Sequence, residues 1–154
     1  MMTTTLVGRI VAVPRPMLPA EEAAVRALFA DCHPELPPRP KGWYVAYPTL
    51  VVGIEGRIVA FTSFSVSPAP AGPTTLYGND LCVAPAYRKH GLGRTLVEAR
   101  QALACAVGAT TFIGIVQNSN PAMRRIFETE GFHPCQRLAG YWAGADAVIW
   151  AGPL

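Results

Sequence analysis

Leu76-Tyr-Gly-Asn-Asp80-Leu-Cys-Val-Ala-Pro85-Ala-Tyr-Arg-Lys-His90-Gly-Leu-Gly-Arg-Thr-Leu96 is the stretch on which the rest of the chain depends. It opens as a strand from Leu76 to Val83, which Pro85 ends because proline has no N–H for a sheet ladder. A basic turn follows, Arg88-Lys89-His90, and Gly91-Leu92-Gly93 leads into a helix. The first turn of a helix leaves its own N–H groups without internal partners, and glycines keep the backbone uncovered. Those donors, the positive end of the helix dipole and the neighbouring cations make a cradle for an anion, with phosphate or pyrophosphate as the natural guest.

Two other glycine-loop patterns do not fit. No Gly-x4-Gly-Lys-Ser/Thr phosphate loop occurs in the chain. A dinucleotide fingerprint needs a small residue where Leu96 stands and an acid at the end of the next strand, which instead reads Val116-Gln117-Asn118.

The other elements are read outward from this centre. Residues 5–13 are β-branched and predict a first strand, closed by Pro14 and Pro16. Pro19-Ala-Glu-Glu starts a helix that runs to about Asp31, with Ala24, Val25 and Leu28 inward. His33 to Pro48 holds too many prolines for a long regular element and reads as a stiff segment whose aromatics suit the wall of a pocket. Thr49–Ile54 and Arg57–Val66 form a hairpin about Glu55-Gly56.

The helix of Gly91 to Val107 places Leu92, Leu96, Ala99, Leu103 and Ala106 on one face, with Arg94, Glu98 and Gln101 opposite. Thr110–Val116 is a short apolar strand of the kind buried on both faces. The strand–helix–strand order makes it parallel to the Leu76–Val83 strand. Asn120 caps a further helix with Pro121 at its first position, Gly131 ends it, and two closing strands follow at about 135–143 and 145–151.

Arg88-Lys-His-Gly91-Leu-Gly93 after Val83-Ala-Pro85 resembles the acetyl-CoA-binding motif of the GCN5-related N-acetyltransferases. Asn120 with Gly131-Phe132 at the end of its helix is similar to the family's second signature. The resemblance spans residues 76–132 and implies a single α/β domain over 1–154: a mixed, mainly antiparallel sheet with helices on both faces. It implies an enzyme that moves an acetyl group from acetyl-CoA to a primary amine. On this likeness Leu81, Cys82 and Val83 contact the pantetheine where their strand splays from the next, and one of their N–H groups polarises the thioester. Arg88, Lys89, His90, Gly91, Leu92, Gly93 and Arg94 hold the phosphates, and Asn120 and Phe127 border the cofactor.

The chain departs from the family where protons move. Phe127 stands where many members place a tyrosine, and the sole acid on the two central strands is Asp80, which becomes the candidate base. Tyr141 is the alternative proton donor. A CoA-binding module with lost chemistry, a larger acyl donor and an oxygen acceptor stay open as alternatives, as does the acceptor's identity.

Composition bounds the rest. The 154 residues are 51% hydrophobic and 15% charged, enough for one well-buried domain, and the net charge of +3 is scattered rather than arrayed as nucleic-acid binders carry it. Met-Met-Thr-Thr-Thr has no secretion-signal pattern and no apolar run spans a membrane, so a cytoplasmic protein is expected. Cys32, Cys82, Cys105 and Cys135 show no metal-ligand spacing and are expected as free, mostly buried thiols, with no metal. A homodimer stays open as the assembly.

Overall fold

The computed structural model describes residues 10–68, 72–142 and 144–154. Its elements run β1 (Arg15–Pro16), α1 (Glu22–Cys32), α2 (Trp43–Ala46), β2 (Thr49–Ile54), β3 (Arg57–Ser67), β4 (Thr75–Val83), α3 (Leu92–Ala106), β5 (Thr111–Gln117), α4 (Pro121–Thr129), β6 (His133–Trp142) and β7 (Ala145–Pro153). One seven-stranded sheet forms in the order β1-β2-β3-β4-β5-β7-β6. Only β4 and β5 are parallel; every other neighbouring pair is antiparallel. This is the mixed, mainly antiparallel sheet expected, and the crossover through α3 supplies its parallel pair.

Each face carries its own core. On one, Leu92, Leu96 and Ala104 of α3 and Phe127 of α4 pack on Leu76, Phe112, Val116 and Trp150 of the sheet. On the other, Val25, Leu28 and Phe29 of α1 and Tyr44 of α2 pack on Val51, Phe61 and Cys82. Burying a leucine or phenylalanine of this kind contributes about 1.5–3 kcal/mol.

Several elements stand as their local chemistry dictates. Glu55 and Gly56 both take positive φ, 51° and 75°, which matches the turn's twist to the β2–β3 hairpin. Asn120 Oδ1 accepts from Met123 N at 3.1 Å and caps α4, and Gly131, at φ 86°, ends the segment while Phe132 N donates back to Phe127 O.

The differences have physical causes. Residues 10–13 of the expected first strand are irregular, and the rest of it lies outside the described residues. Ile10 N donates to His90 O at 2.9 Å, so this segment runs beside the basic turn instead of pairing with the sheet edge, which two-residue β1 occupies. In α1 the buried positions are Glu22, Val25, Leu28 and Phe29, and Ala24 faces out. Glu22 is inside because its carboxylate accepts from Gly42 N and Tyr44 N, which fixes the proline-rich segment onto the helix. β5 alternates, with Phe112, Gly114 and Val116 buried and the residues between partly exposed, because the core under α1 and α2 covers β2, β3 and β4 on that face and not β5. Of the cysteines only Cys82 is fully buried, while Cys105 and Cys135 are exposed.

In α3 the buried stripe is Leu92, Leu96, Val97, Arg100 and Ala104, and Leu103 is 46% exposed. The helix is rotated from the face that its apolar residues alone suggest, and the rotation carries an arginine into the interior.

Candidate active site

β4 and β5 pair only from Thr75↔Thr111 to Gly78↔Gly114. Beyond that point β5 continues along β7 to Gln117↔Ala147, and β4 continues along β3 to Val83↔Ala60. The strands therefore part. Between Phe64↔Gly78 and Thr62↔Leu81, β4 has one residue more than β3, a bulge at Asn79-Asp80 that bends it away. The cleft so opened is narrow, with a cavity volume of about 60 Å³, and is lined by both parted strands and by Phe29, His33, Arg100, Asn120, Met123 and Phe127.

Antiparallel alternation decides which backbone groups of β4 face the cleft. Ala84 N donates to Val59 O at 2.8 Å and Asp80 N to Ser63 Oγ at 3.2 Å, so the even-numbered residues, Cys82 included, turn their groups toward β3. Leu81 and Val83 turn theirs toward the cleft, where no strand meets them. The Val83 carbonyl accepts from Arg88 Nε at 2.9 Å and from Cys32 Sγ at 3.6 Å.

The start of α3 lies beside the parted end of β4, where a Cβ on Gly93 would stand 3.9 Å from Leu81 Cδ2. The first helical bond is Thr95 N to Gly91 O, which leaves the N–H groups of Leu92, Gly93 and Arg94 without partners inside the helix. Lys89 and Gly91 hold left-handed φ values of 65° and 85°, and this turn aims successive N–H groups into one concavity. Leu92 is buried and anchors the helix start in the core. A side chain on Gly93 would meet Ile126 Cδ1 at 3.3 Å, so that glycine also lets α4 approach. The cations differ in what they touch. Arg88 lies back over the end of β4, and Arg94 pairs with Glu98 at 3.0 Å and Glu130 at 3.4 Å. Lys89 is exposed at the turn, with His90 beside it.

Arg88 Nη2 also stands 3.6 Å from Cys32 Sγ. A hydrogen bond from Cys82 and the nearby guanidinium lower the Cys32 pKa to about 7 against the opposing effect of burial, and Cys82 keeps its proton.

Asp80, 5% exposed, sits at the bulge with both oxygens engaged. Arg39 grips it with Nη2 to Oδ1 at 2.8 Å and Nε to Oδ2 at 3.1 Å, and the Tyr44 hydroxyl donates to Oδ2 at 2.8 Å. The Arg39 guanidinium lies over the rings of Phe29, at 4.6 Å, and Trp43, at 5.0 Å. Burial opposes its charge, but the Asp80 carboxylate outweighs burial and raises its pKa. Burial and the Asp80 charge together push the Tyr44 hydroxyl up, so it stays a donor.

On the other face Arg100 is 2% exposed. Its Nη1 donates to Thr62 Oγ1 at 3.0 Å, and that hydroxyl donates to the Asp80 carbonyl at 3.0 Å. Its Nε has no partner among the described residues, and its guanidinium lies 5.4 Å from the Phe112 ring centre. Burial alone lowers its pKa to about 10, so it is charged at neutral pH. Gly78 makes room for it, since a Cβ there would stand 2.9 Å from Nη2.

Phe127 is buried among Phe112, Phe132 and Trp150 and borders the cleft with its ring edge, and Asn120 lines the cleft as it caps α4. Tyr141, on β6 near the hairpin end, is 54% exposed and is not part of the cleft wall. Among the described residues no group of three or more His, Cys, Asp or Glu could hold a metal ion, and no helix is long and apolar enough to cross a membrane. Sequence reasoning missed Arg39, Tyr44, Thr62, Ser63 and Arg100. Two had a signal: Tyr44 is one of the aromatics of the stiff segment, and Arg100 falls four and eight residues after Leu96 and Leu92, and four before Ala104.

A model of the acetyltransferase (GNAT) family matches residues 18–132. None of the curated proteins matches the sequence. Among solved structures, the NatC complex bound to Gag peptide and CoA includes a chain similar to this one with TM-score 0.82 and 20% identity, covering 94% of this chain and 99% of that one. The ribosomal-protein-S18-alanine N-acetyltransferase of Escherichia coli is similar with TM-score 0.79 and 21% identity, covering 93% and 94%. The yncA protein of Salmonella typhimurium, solved with its cofactor acetyl-CoA, gives 0.77 and 21%, covering 94% and 95%. At these identities the likeness to the solved structures is one of fold.

Proposed function

The chain belongs to the acetyltransferase (GNAT) family, and from that premise we propose that it transfers an acetyl group from acetyl-CoA to a primary amine of a small molecule or protein. The observation that carries the reading is the cleft between β4 and β5, open at one end onto the uncovered N–H groups of α3. A diphosphate at Leu92–Arg94 takes those donors and the helix dipole, with Lys89, His90 and Gly91 completing the concavity and Arg88 at its edge. An extended amide arm from there down the cleft meets the backbone groups of Leu81 and Val83 that no strand uses, with Cys82 stiffening the strand from behind. Phe127 and Asn120 form the opposite wall.

The acyl step then follows from position and polarity. The amine nitrogen attacks the thioester carbonyl carbon, a C–N bond forms, the C–S bond breaks and the sulfur leaves as a thiolate. A Leu81 N–H aimed into the cleft stabilises charge on the carbonyl oxygen. Asp80 takes the amine proton through the lone pair that Arg39 leaves on Oδ1, directly or across one water. Water protonates the thiolate, and Tyr141 serves as donor only through solvent.

The second reading, a CoA-binding module without turnover, draws on the engagement of both Asp80 oxygens and on the aromatic floor at Phe127. Mixing the chain with acetyl-CoA and a panel of amines while following free thiol separates the two. Amine-dependent thiol release is expected. Tight calorimetric binding of CoA with no thiol release from any acceptor overturns the enzyme in favour of the module.

A further inference from the structure

Arg100 is a charge without a counter-charge. All ten acidic residues of the chain lie among the described residues, and none of them pairs with it. One hydrogen bond, to Thr62, is found for a group with five donors. A buried guanidinium left in this state is unfavourable, because burial removes its water and nothing restores the lost interaction. An interior of leucine, phenylalanine and valine would be filled more favourably by methionine or leucine at this position.

Its place gives the charge a use. Arg100 lines the cleft with Gly78 and Gly114, the last paired residues before β4 and β5 diverge, so it stands at the closed end. The anion cradle stands at the open end. From Val83 to Gly78 the strand runs five residue steps, about 16 Å. A thioester arm entering from α3 along Val83 and Leu81 carries its acyl group deepest, toward the guanidinium. Around it the cleft is lined by Gly78, Gly114, Phe127 and Asn79, whose buried Nδ2 has no partner among the described residues, so an oxygen on the far end of an acyl chain finds the Arg100 guanidinium as the cation there, with the Asn79 amide as a second donor.

We infer that Arg100 receives a terminal carboxylate on the acyl group, so that beyond acetyl-CoA the cleft accepts the CoA monothioester of a short dicarboxylic acid of the malonyl or succinyl type and holds it more tightly than an uncharged donor of equal length. The inference rests on the thioester-binding reading above and specifies the acyl chain it takes. The planar fork suits a carboxylate with two parallel hydrogen bonds. Bond making is unchanged: C–N forms, C–S breaks, the thiolate leaves and the amine proton goes to Asp80. The distal carboxylate stays bound to Arg100 throughout and takes no part in the bond changes. Through Thr62, which holds the Asp80 carbonyl, Arg100 also ties the acyl end of the cleft to the bulge.

The test compares succinyl-CoA with butyryl-CoA, of equal chain length without the carboxylate, and malonyl-CoA with propionyl-CoA. CoA itself is the reference for the shared part. Calorimetric affinities are measured for the wild-type chain, Arg100→Met and Arg100→Lys, and thiol release is followed with one fixed amine. The expected result is binding roughly 10-fold or more tighter for the carboxylated member of at least one pair, the scale of a hydrogen bond to a charged group. That preference should vanish in Arg100→Met and survive in part in Arg100→Lys, with CoA affinity unchanged in both. No preference in the wild-type chain overturns the inference, whether or not the variants fold. A preference that persists in folded Arg100→Met also overturns it, as does an equal loss of turnover with all donors, which would place Arg100 at the thioester. CoA that fails to bind at all removes the underlying reading and this inference together, whereas CoA binding without carboxylate preference removes the inference alone.

Discussion

Arg39 and Arg100 approach the same bulge of β4 from opposite faces of the sheet, and the fold treats them differently. Arg39 arrives from the proline-rich segment, stacks on Phe29 and Trp43, and closes a two-pronged ion pair with Asp80. Arg100 arrives from the buried stripe of α3 and finds only the Thr62 hydroxyl. The consequence shows in their proton affinities, raised for Arg39 by its carboxylate and lowered for Arg100 by burial with nothing to oppose it. A paired buried charge builds a rigid wall. An unpaired one is poised for a ligand.

The largest break in this comparison is Asp80→Asn, which takes the anion from Arg39 and leaves it as unpaired as Arg100. If Asp80 is the base, turnover should fall by roughly 10²–10⁴-fold with acetyl-CoA affinity nearly intact. Steady-state kinetics beside calorimetry checks this. Near-normal turnover at neutral pH would remove Asp80 from proton transfer and leave it as the anchor of Arg39 and Tyr44.

Arg39→Met makes the opposite cut and strands Asp80, a carboxylate 5% exposed. Removing one partner of a buried pair costs about 3–5 kcal/mol, and the lower end applies because Arg39 keeps some contact with water. For a domain of this size a loss of about 3 kcal/mol lowers Tm by at least about 6 °C. A melting curve that stays within 2 °C or so of wild type would mean that the Tyr44 hydroxyl alone suffices for the Asp80 carboxylate.

Gly78→Ala tests the crowding on the other face. Its Cβ would stand 2.9 Å from Arg100 Nη2 and 3.0 Å from Cζ. Arg100 has the Phe112 ring on one side and a bond to Thr62 on the other, so it yields poorly, and a loss of about 1–3 kcal/mol is expected from overpacking. Denaturant unfolding measures it. A neutral result would show that the guanidinium swings freely into the cleft.

How much of this the sequence disclosed follows from what each part depends on. The strand–turn–helix of Leu76 to Leu96, the Glu55-Gly56 hairpin and the Asn120–Pro121 cap were legible because proline, glycine and asparagine act on their own backbone within a few residues. The cleft's glycine turn was legible for the same reason. Asp80 was found as the one acid on the central strands, but its ties to Arg39 and Tyr44 span 41 and 36 residues and leave no local mark. The expectation of a strand reaching over residues 10–13 rests on β-branched content, which reports fitness for a sheet without saying whether an edge is open to it. Arg100 stands out less, because apolar residues alone set the helix face with Leu103 inward in its stead.

The last prediction isolates that arginine by stability. In an ordinary buried ion pair, removing the cation destabilises. Arg100 has no anion to strand, so Arg100→Met removes a desolvated charge and one hydrogen bond to Thr62 and supplies an unbranched apolar chain that fits irregular space. Exchange of buried charge for packed apolar atoms is often neutral or stabilising. Against this stands Thr62, which loses a donor but keeps its own bond to the Asp80 carbonyl, a loss of about 1 kcal/mol. The two effects offset, and Tm should shift by no more than about 4 °C in either direction. Calorimetry without ligand, run beside Arg39→Met, makes the contrast direct: one arginine holds the fold together and the other does not. A fall in Arg100→Met as large as that in Arg39→Met would show that Arg100 is structural, and the contrast between the two faces of β4 would collapse.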